Sequence, residues 1–448
     1  MNAVPQTAVA PQAYSALYRA WLLFVLLLVG LINYADRTVV TSVIEPIRHE
    51  LHLTDTQLGW LQGLSFGLLY TVLGIPFARL AERRSRVRII AAATFAWSVM
   101  TALCGSAAGY TQLLAMRLGV GVGEAGFMAP ASSLLGDHFR PDQRVLASSI
   151  MMLGVPFGAL IGATSGGLIA QTLGWRWAFV IMAAPGLVIA LLVLLTLREP
   201  PRGMSEQAQD EDVPSLPEVA SRCLANPTFR HVLMGGILGG FGLHGLGQFL
   251  NPYLQRVHHL SPRDAGALYG MQSFVSISAG LLLGGWLANY LGRRNPRYYT
   301  LIPAAGMFLS VPIYLAAFHS GDQSLKTSLA LIILAGSFLL LHYGPSLALV
   351  QNLSTPLTRA STVAVYMLFV NGIAQNFGAP LIGYLSDQYA AALGAGLPEE
   401  AARALGVRYA LMTSTVLYAW GGVHYLLAQR QRLPEPSPAA AAGPVPGG

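Results

Sequence analysis

Apolar runs of ~18 or more residues recur along the chain and are separated by short polar stretches. The pattern predicts twelve helices, at about residues 21–43, 56–80, 87–107, 111–136, 145–170 and 177–197, then 231–256, 264–289, 298–318, 328–352, 361–388 and 407–428. One polar segment interrupts it: residues 198–228 hold Glu206, Asp210, Glu211, Asp212 and Glu218 among five prolines, a linker composition. The expected organisation is therefore a tail over 1–20, a six-helix bundle over 21–197, a cytoplasmic linker over 198–228, a second six-helix bundle over 229–430 and a tail over 431–448. The Ala/Pro-rich ends of both tails read as disordered.

Composition sets the solvent. Hydrophobic residues make up 54% of the chain and charged ones 10%, with a mean hydropathy of +0.52, against roughly 25% charged in a soluble domain. The fold class is all-α membrane protein, two pseudo-symmetric six-helix bundles with lipid as the main solvent. The net charge of +7 comes from 27 basic residues, of which Lys326 is the one lysine. The arginines sit in short loops between apolar runs, so they report topology and not nucleic-acid binding. With both termini cytoplasmic, eighteen basic residues fall inside and seven outside, as the positive-inside rule requires. The expected location is the plasma membrane of a bacterium (an inner membrane), as a monomer. Cys104 and Cys223 are too few for a disulfide framework or a metal site, and no cofactor is expected beyond protons as coupling ion.

Two basic residues remain within spans, Arg37 and Arg117, together with two acids, Asp36 and Glu124. A charge near the bilayer centre costs several kcal/mol, so it faces a polar cavity or finds a partner. Arg117, Gly121 and Glu124 stand at i, i+4 and i+7, on one face of helix 4. Asp36 and Arg37 are turned ~100° from each other, so one of them points straight into a cavity. The set is neutral with both acids ionised; protonating one frees an arginine to attract an anionic head group or repel a facing helix. Asp36 and Glu124 are accordingly the candidate proton carriers, with Arg37 and Arg117 tuning them. A structural salt-bridge cluster is the plainer alternative.

The second half offers neutral polar groups. His244, Gln248, Asn251 and Gln255 run at i, i+4, i+7 and i+11 in helix 7; Asn371 and Gln375 repeat the spacing in helix 11, with His342 and Tyr343 in helix 10. Together with Asn33 and Tyr34 they are candidate substrate contacts, although any one of them could be interhelical glue. Gly154, Gly158, Gly162 and Gly166 give helix 5 a smooth face for close approach. A membrane enzyme would need a clustered nucleophile and base or metal ligands, and His258-His259 stands alone in an expected loop. A channel or scaffold is the other rival class.

Several stretches resemble the major facilitator superfamily. Arg117-Leu118-Gly119-Val120-Gly121-Val122-Gly123-Glu124-Ala125 is similar to its helix-4 motif and residues 154–167 to its glycine-rich helix-5 motif. Residues 77–86, with Glu82, Arg83 and Arg86, resemble its loop 2–3 signature, and residues 285–294 repeat it in loop 8–9. Asn33-Tyr34-Ala35-Asp36-Arg37, Gly123-Glu124-Ala125, the segment 174–179 and the segment 380–387 are similar to the spinster-like branch. The resemblance implies alternating access, with Asp36, Arg37, Arg117 and Glu124 as coupling and gating residues. For eukaryotic members it implies export of sphingosine-1-phosphate or lysophospholipids. The chain departs from the signature where Glu82 replaces Asp, Ala78 replaces Gly and Asn289 replaces the second acid, so the latch between cytoplasmic helix ends is altered. The expectation is a proton-coupled exporter of amphipathic or lipid-like molecules, resembling a bacterial member of the branch. The rival within transport is an uncoupled facilitator or an importer of small organic anions anchored by Arg117.

Overall fold

The computed structural model describes residues 14–200, 214–292, 294–319, 324–355 and 358–430. Among these residues the regular structure is helical, and ten helices are long and apolar enough to cross a membrane. Two more, of 29 and 31 residues, pack among them. In chain order the rods are α1 (Ala16–Leu51), α2 (Asp55–Arg83), α3 (Arg86–Cys104), α4 (Tyr110–Glu124 and Met128–His138), α5 (Pro141–Met152 and Gly154–Leu173) and α6 (Trp175–Thr196). The second half comprises α7 (Pro227–Phe241, Gly242–Leu246 and Gly247–Val257), α8 (Pro262–Gly292), α9 (Tyr298–His319), α10 (Leu325–Leu340 and Tyr343–Asn352), α11 (Arg359–Leu393) and α12 (Glu399–Gln429).

Local chemistry sets the helix ends. Ser15 caps α1, Thr54 and Gln57 form a reciprocal capping box on α2, Ser85 caps α3 and Asn226 caps α7. Exposed apolar side chains such as Val188 and Leu195 on α6, Leu282 and Trp286 on α8 and Val416 and Trp420 on α12 form the belt that meets lipid.

Three expectations change. Helix 1 runs eight residues past 43, to Leu51, so Glu45 and Arg48 belong to the rod and not to a loop. The N-terminal tail is shorter than 1–20, because α1 starts at Ala16. The linker carries its own helix, Leu216–Ala225, which buries Val219. Residues 1–13, 201–213 and 431–448, where most of the expected disorder falls, lie outside the described residues, as does Arg293 of the loop 8–9 signature.

Glycines set the packing. A Cβ on Gly158 would come within 2.5 Å of the Leu31 carbonyl, and one on Gly154 within 2.7 Å of the Leu31 amide, so the smooth face of α5 lies directly on α1. The halves meet along α2–α11, where a Cβ on Gly63 would sit 2.6 Å from the Asn376 carbonyl, and along α5–α8, where Phe157 and Phe274 lie 5.3 Å apart.

Candidate functional site

The charged set of the first half gathers on α1 and α4, and Arg37 and Arg117 border the space between the halves. Asp36 and Glu124 are fully buried and Arg117 is 2% exposed. Arg37 on α1 donates from Nε to Glu124 Oε2 on α4 at 2.9 Å, and a second guanidinium nitrogen lies 2.8 Å from the same oxygen. A charge-assisted pair of this kind is about twice as strong as a neutral hydrogen bond. Arg117 directs Nη1 at the backbone carbonyl of Asp36, 3.5 Å away, while the Asp36 carboxylate accepts from Thr101 at 3.5 Å. Asp36 thus turns inward among α1, α3 and α4, and Arg37 turns to the cavity. Asn33 stands beside the Glu124 carboxylate. One oxygen of each acid, Asp36 Oδ1 and Glu124 Oε1, has no hydrogen-bond partner among the described residues. Such acceptors are rare in a packed interior and mark a place where a proton or a donor group fits.

The cavity in front of Arg37, of about 90 Å³, is lined by Tyr34 and Thr38 from α1, His244 and Gln248 from α7, Tyr269, Gln272 and Ser273 from α8, and Gln375 from α11. Leu243, Leu246, Leu250, Ile277, Leu339 and Leu340 supply the apolar wall. A smaller neighbouring space of about 20 Å³ is bounded by Arg37, Gln62, Arg117, His244, Gln248 and Gln375. Thr41 donates to Gln248 Oε1 at 2.5 Å and so ties α1 to α7 across the cavity.

Helix breaks surround this site. α4 is interrupted immediately after Glu124, α10 immediately before Tyr343, and α7 opens into a π turn at Gly242–Leu246 that carries His244. The α4 and α10 breaks occupy corresponding positions in the two halves, the arrangement that marks binding sites in transporters built from repeats. The expected stripe is shortened by the structure. His244 and Gln248 face the cavity, while Asn251 and Gln255, further along the regular segment Gly247–Val257, lie beyond it and bond to each other at 2.6 Å.

The other candidates lie elsewhere. His342 is buried between α7 and α10 and donates Nδ1–H to the Leu339 carbonyl at 2.7 Å. Tyr343 is 38% exposed, and its hydroxyl lies 4.0 Å from Met367 Sδ, which Asn371 also approaches at 3.8 Å. None of these three is among the cavity-lining residues. Gln62, Tyr269, Gln272 and Ser273 line the site and were not among the candidates. Gln272 and Ser276 stand at i, i+4 in helix 8, the signal already applied to helices 7 and 11.

Each end of the bundle carries a polar network. In the loop 2–3 signature Glu82 and Arg83 are exposed, whereas Arg86 is 2% exposed and holds Asp137 of α4 and, at 2.7 Å, Glu199 after α6. Burial raises the Glu199 carboxyl, but the Val87 amide, Arg86 and Ser85 outweigh it and hold it below the usual carboxylate range. At the opposite end Arg256 of α7 reaches into the first half. It bonds Asp55 twice at 2.7 Å and Glu45 at 2.9 and 2.5 Å. Arg48 bonds Glu400 of α12 at 3.1 Å. Asp387 of α11 accepts from the Asp55 and Thr56 amides, at 3.0 and 2.8 Å, at the N-terminus of α2. The ion pairs of Arg48 and His49 with Glu400, and of Arg256 with Glu45 and Asp55, join the halves at this end.

The chain matches the model of the Major Facilitator Superfamily over residues 26–379. It is 32% identical over 420 residues to an MFS-type efflux pump of Mycolicibacterium smegmatis, covering 92% of each chain. It is 28% identical to protein spinster homolog 1 of Xenopus tropicalis, covering 90% of this chain and 79% of that protein. Among solved structures it superposes on a bacterial homolog of the human lysosomal transporter spinster in its inward-facing, unoccupied form. That match has a TM-score of 0.84 and 29% identity, over 93% of this chain and 98% of the other. The inward-facing, occupied form gives a TM-score of 0.83 and 31% identity, over 94% of this chain and 98% of the other. The chain belongs to the major facilitator superfamily and is a transporter of its spinster-like branch.

Proposed function

We propose that this transporter exports an amphipathic or lipid-like molecule in exchange for protons, with Glu124 and Asp36 as the proton carriers. The observation that carries the reading is the Arg37–Glu124 pair: a fully buried carboxylate, one oxygen without a partner, held by the arginine that faces the cavity between the halves. With Glu124 ionised the pair is neutral, and the cavity offers amides, hydroxyls and an apolar wall to a molecule with a polar head and a hydrocarbon body. A proton on Glu124 cancels the pair and leaves the Arg37 charge uncompensated at the wall. That charge disfavours a cationic or zwitterionic amine in the same space, so proton and substrate occupy the site in turn. Each then biases the same equilibrium between inward- and outward-open forms. The name of the mycobacterial relative, an efflux pump, supports the direction. The inward-facing forms of the structural relatives agree with halves joined by ion pairs at one end.

The same geometry gives the alternative a distinct signature. An anionic group that took Arg37 away from Glu124 would leave the carboxylate unpaired and ready to accept a proton, so anion and proton would travel together. The test is the proton signal from weakly buffered, reconstituted protein on addition of cationic amphiphiles, lysolipids and carboxylates. Proton release with amphiphiles, absent in Glu124→Gln, is the expected result. Proton uptake with carboxylates alone would replace the export reading with anion cotransport.

A further inference from the structure

A second cavity lies apart from the transport site, on the outer face of the first half. It is a groove of about 600 Å³ between α2, α3 and α4. Arg84, Ser85 and Arg88 stand at its mouth, at the arginine-rich end of the bundle, and none of its lining residues is acidic. Arg88, Ala92 and Ala96 follow at i, i+4 and i+8 on the exposed side of α3, and Met100 and Gly119 close the deep end. From Arg88 to Met100 the groove runs ~18 Å along the helix, close to the ~15 Å of hydrocarbon in one leaflet. Gly123 forms part of the wall, and a Cβ there would come within 2.7 Å of Trp97, a fully buried ring. α3 and α4 are therefore in contact behind the groove, which opens to lipid and not to the central cavity.

We infer that this groove is a binding site for one anionic glycerophospholipid of the leaflet on the arginine-rich side. Two guanidiniums at head-group depth above an apolar slot one leaflet deep match a phosphodiester head and an acyl chain. The small side chains of Ala92 and Ala96 leave the width a chain needs. Because the mouth includes Ser85, which caps α3 and donates to Glu199 at 2.8 Å, a bound head group would sit against the Arg86 network.

The test is native mass spectrometry of the full chain in non-ionic detergent, titrated with dioleoyl phosphatidylglycerol or with phosphatidylcholine of the same chains. Wild type should retain one phosphatidylglycerol in preference to phosphatidylcholine. Arg84→Gln with Arg88→Gln should weaken retention roughly 30-fold. Ala96→Trp, which fills the slot from its exposed side and leaves the charges in place, should also abolish it. Arg294→Gln, an exposed arginine of the second half, and Glu124→Gln should retain the lipid as wild type does. Equal retention of the two lipids, unchanged binding in both groove variants, or loss in Glu124→Gln would overturn the assignment.

Discussion

Arg256→Met tests whether the ion network at the end opposite the arginine-rich loops holds the halves together. Arg256 is 6% exposed and makes four hydrogen bonds to two carboxylates of the other half. Without it Glu45 keeps Arg48 at 3.0 Å, while the buried Asp55 carboxylate keeps the Ser386 hydroxyl at 2.6 Å and loses its guanidinium. Removing one partner of a buried pair costs roughly 3–5 kcal/mol. The penalty falls on the closed arrangement, since water reaches both acids once the halves part there. At ~1.4 kcal/mol per tenfold, the closed-to-open ratio should drop by about a hundredfold or more. Spin labels at Thr172→Cys on α5 and Ala395→Cys beyond α11, in a background lacking Cys104 and Cys223, report the separation at that end by electron–electron resonance. Arg256→Met should transfer most of the population to a longer distance, and Arg256→Lys, which keeps the charge without the fork, should fall between. An unchanged distance distribution in folded Arg256→Met would refute the latch.

The other network should respond to acid. Glu199 is held below the usual carboxylate range, so its stabilisation is complete above ~pH 4.3 and is lost as pH falls through its lower folded value; Glu199→Gln should lower the melting temperature at pH 7 and flatten its dependence below pH 4.3. Arg86→Gln, which strands Asp137 and Glu199, should cost roughly 3–5 kcal/mol, whereas Glu82→Gln, at an exposed position, should change thermal stability by less than about 0.5 kcal/mol. For topology, an impermeant thiol reagent should leave Cys223 unmodified in intact cells and label it after permeabilisation, Cys104 being buried; ready labelling from outside would reverse the arginine-based orientation.

The architecture was legible because apolar runs and arginine sorting are properties of composition, which the bilayer reads directly. Asp36, Arg37, Arg117 and Glu124 stood out for the same reason, as charges in spans where charge is costly. Glu45, Asp55, Arg256 and Asp387 did not, because each lies where an apolar run fades and a helix end resembles a loop; their partners stand 201 to 332 residues away. Arg86 illustrates the same limit. Its signature was recognisable, but Asp137 and Glu199 lie 51 and 113 residues on. The π turn in α7 was hidden because a period of 3.6 hides one extra residue. Gly242, Gly245 and Gly247 around His244 were the available hint, and a Cβ on Gly245 would meet the Gly378 carbonyl at 2.7 Å. The stripe through Asn251 and Gln255 failed because periodicity gives the face of a helix and not how far along it the cavity extends.

The most direct measurement of the account is pH-jump-driven substrate flux in proteoliposomes containing wild type, Asp36→Asn or Glu124→Gln, with melting temperatures recorded beside it. An amide cannot exchange a proton but keeps the shape of the acid, so both variants should fold and lose pH-driven flux to the level of empty liposomes. Substrate exchange without a pH gradient should survive in at least one of them, because exchange need not release the proton. Wild-type flux in both folded variants would mean that the Arg37–Glu124 cluster is structural and that Asp36 and Glu124 do not carry the coupling proton.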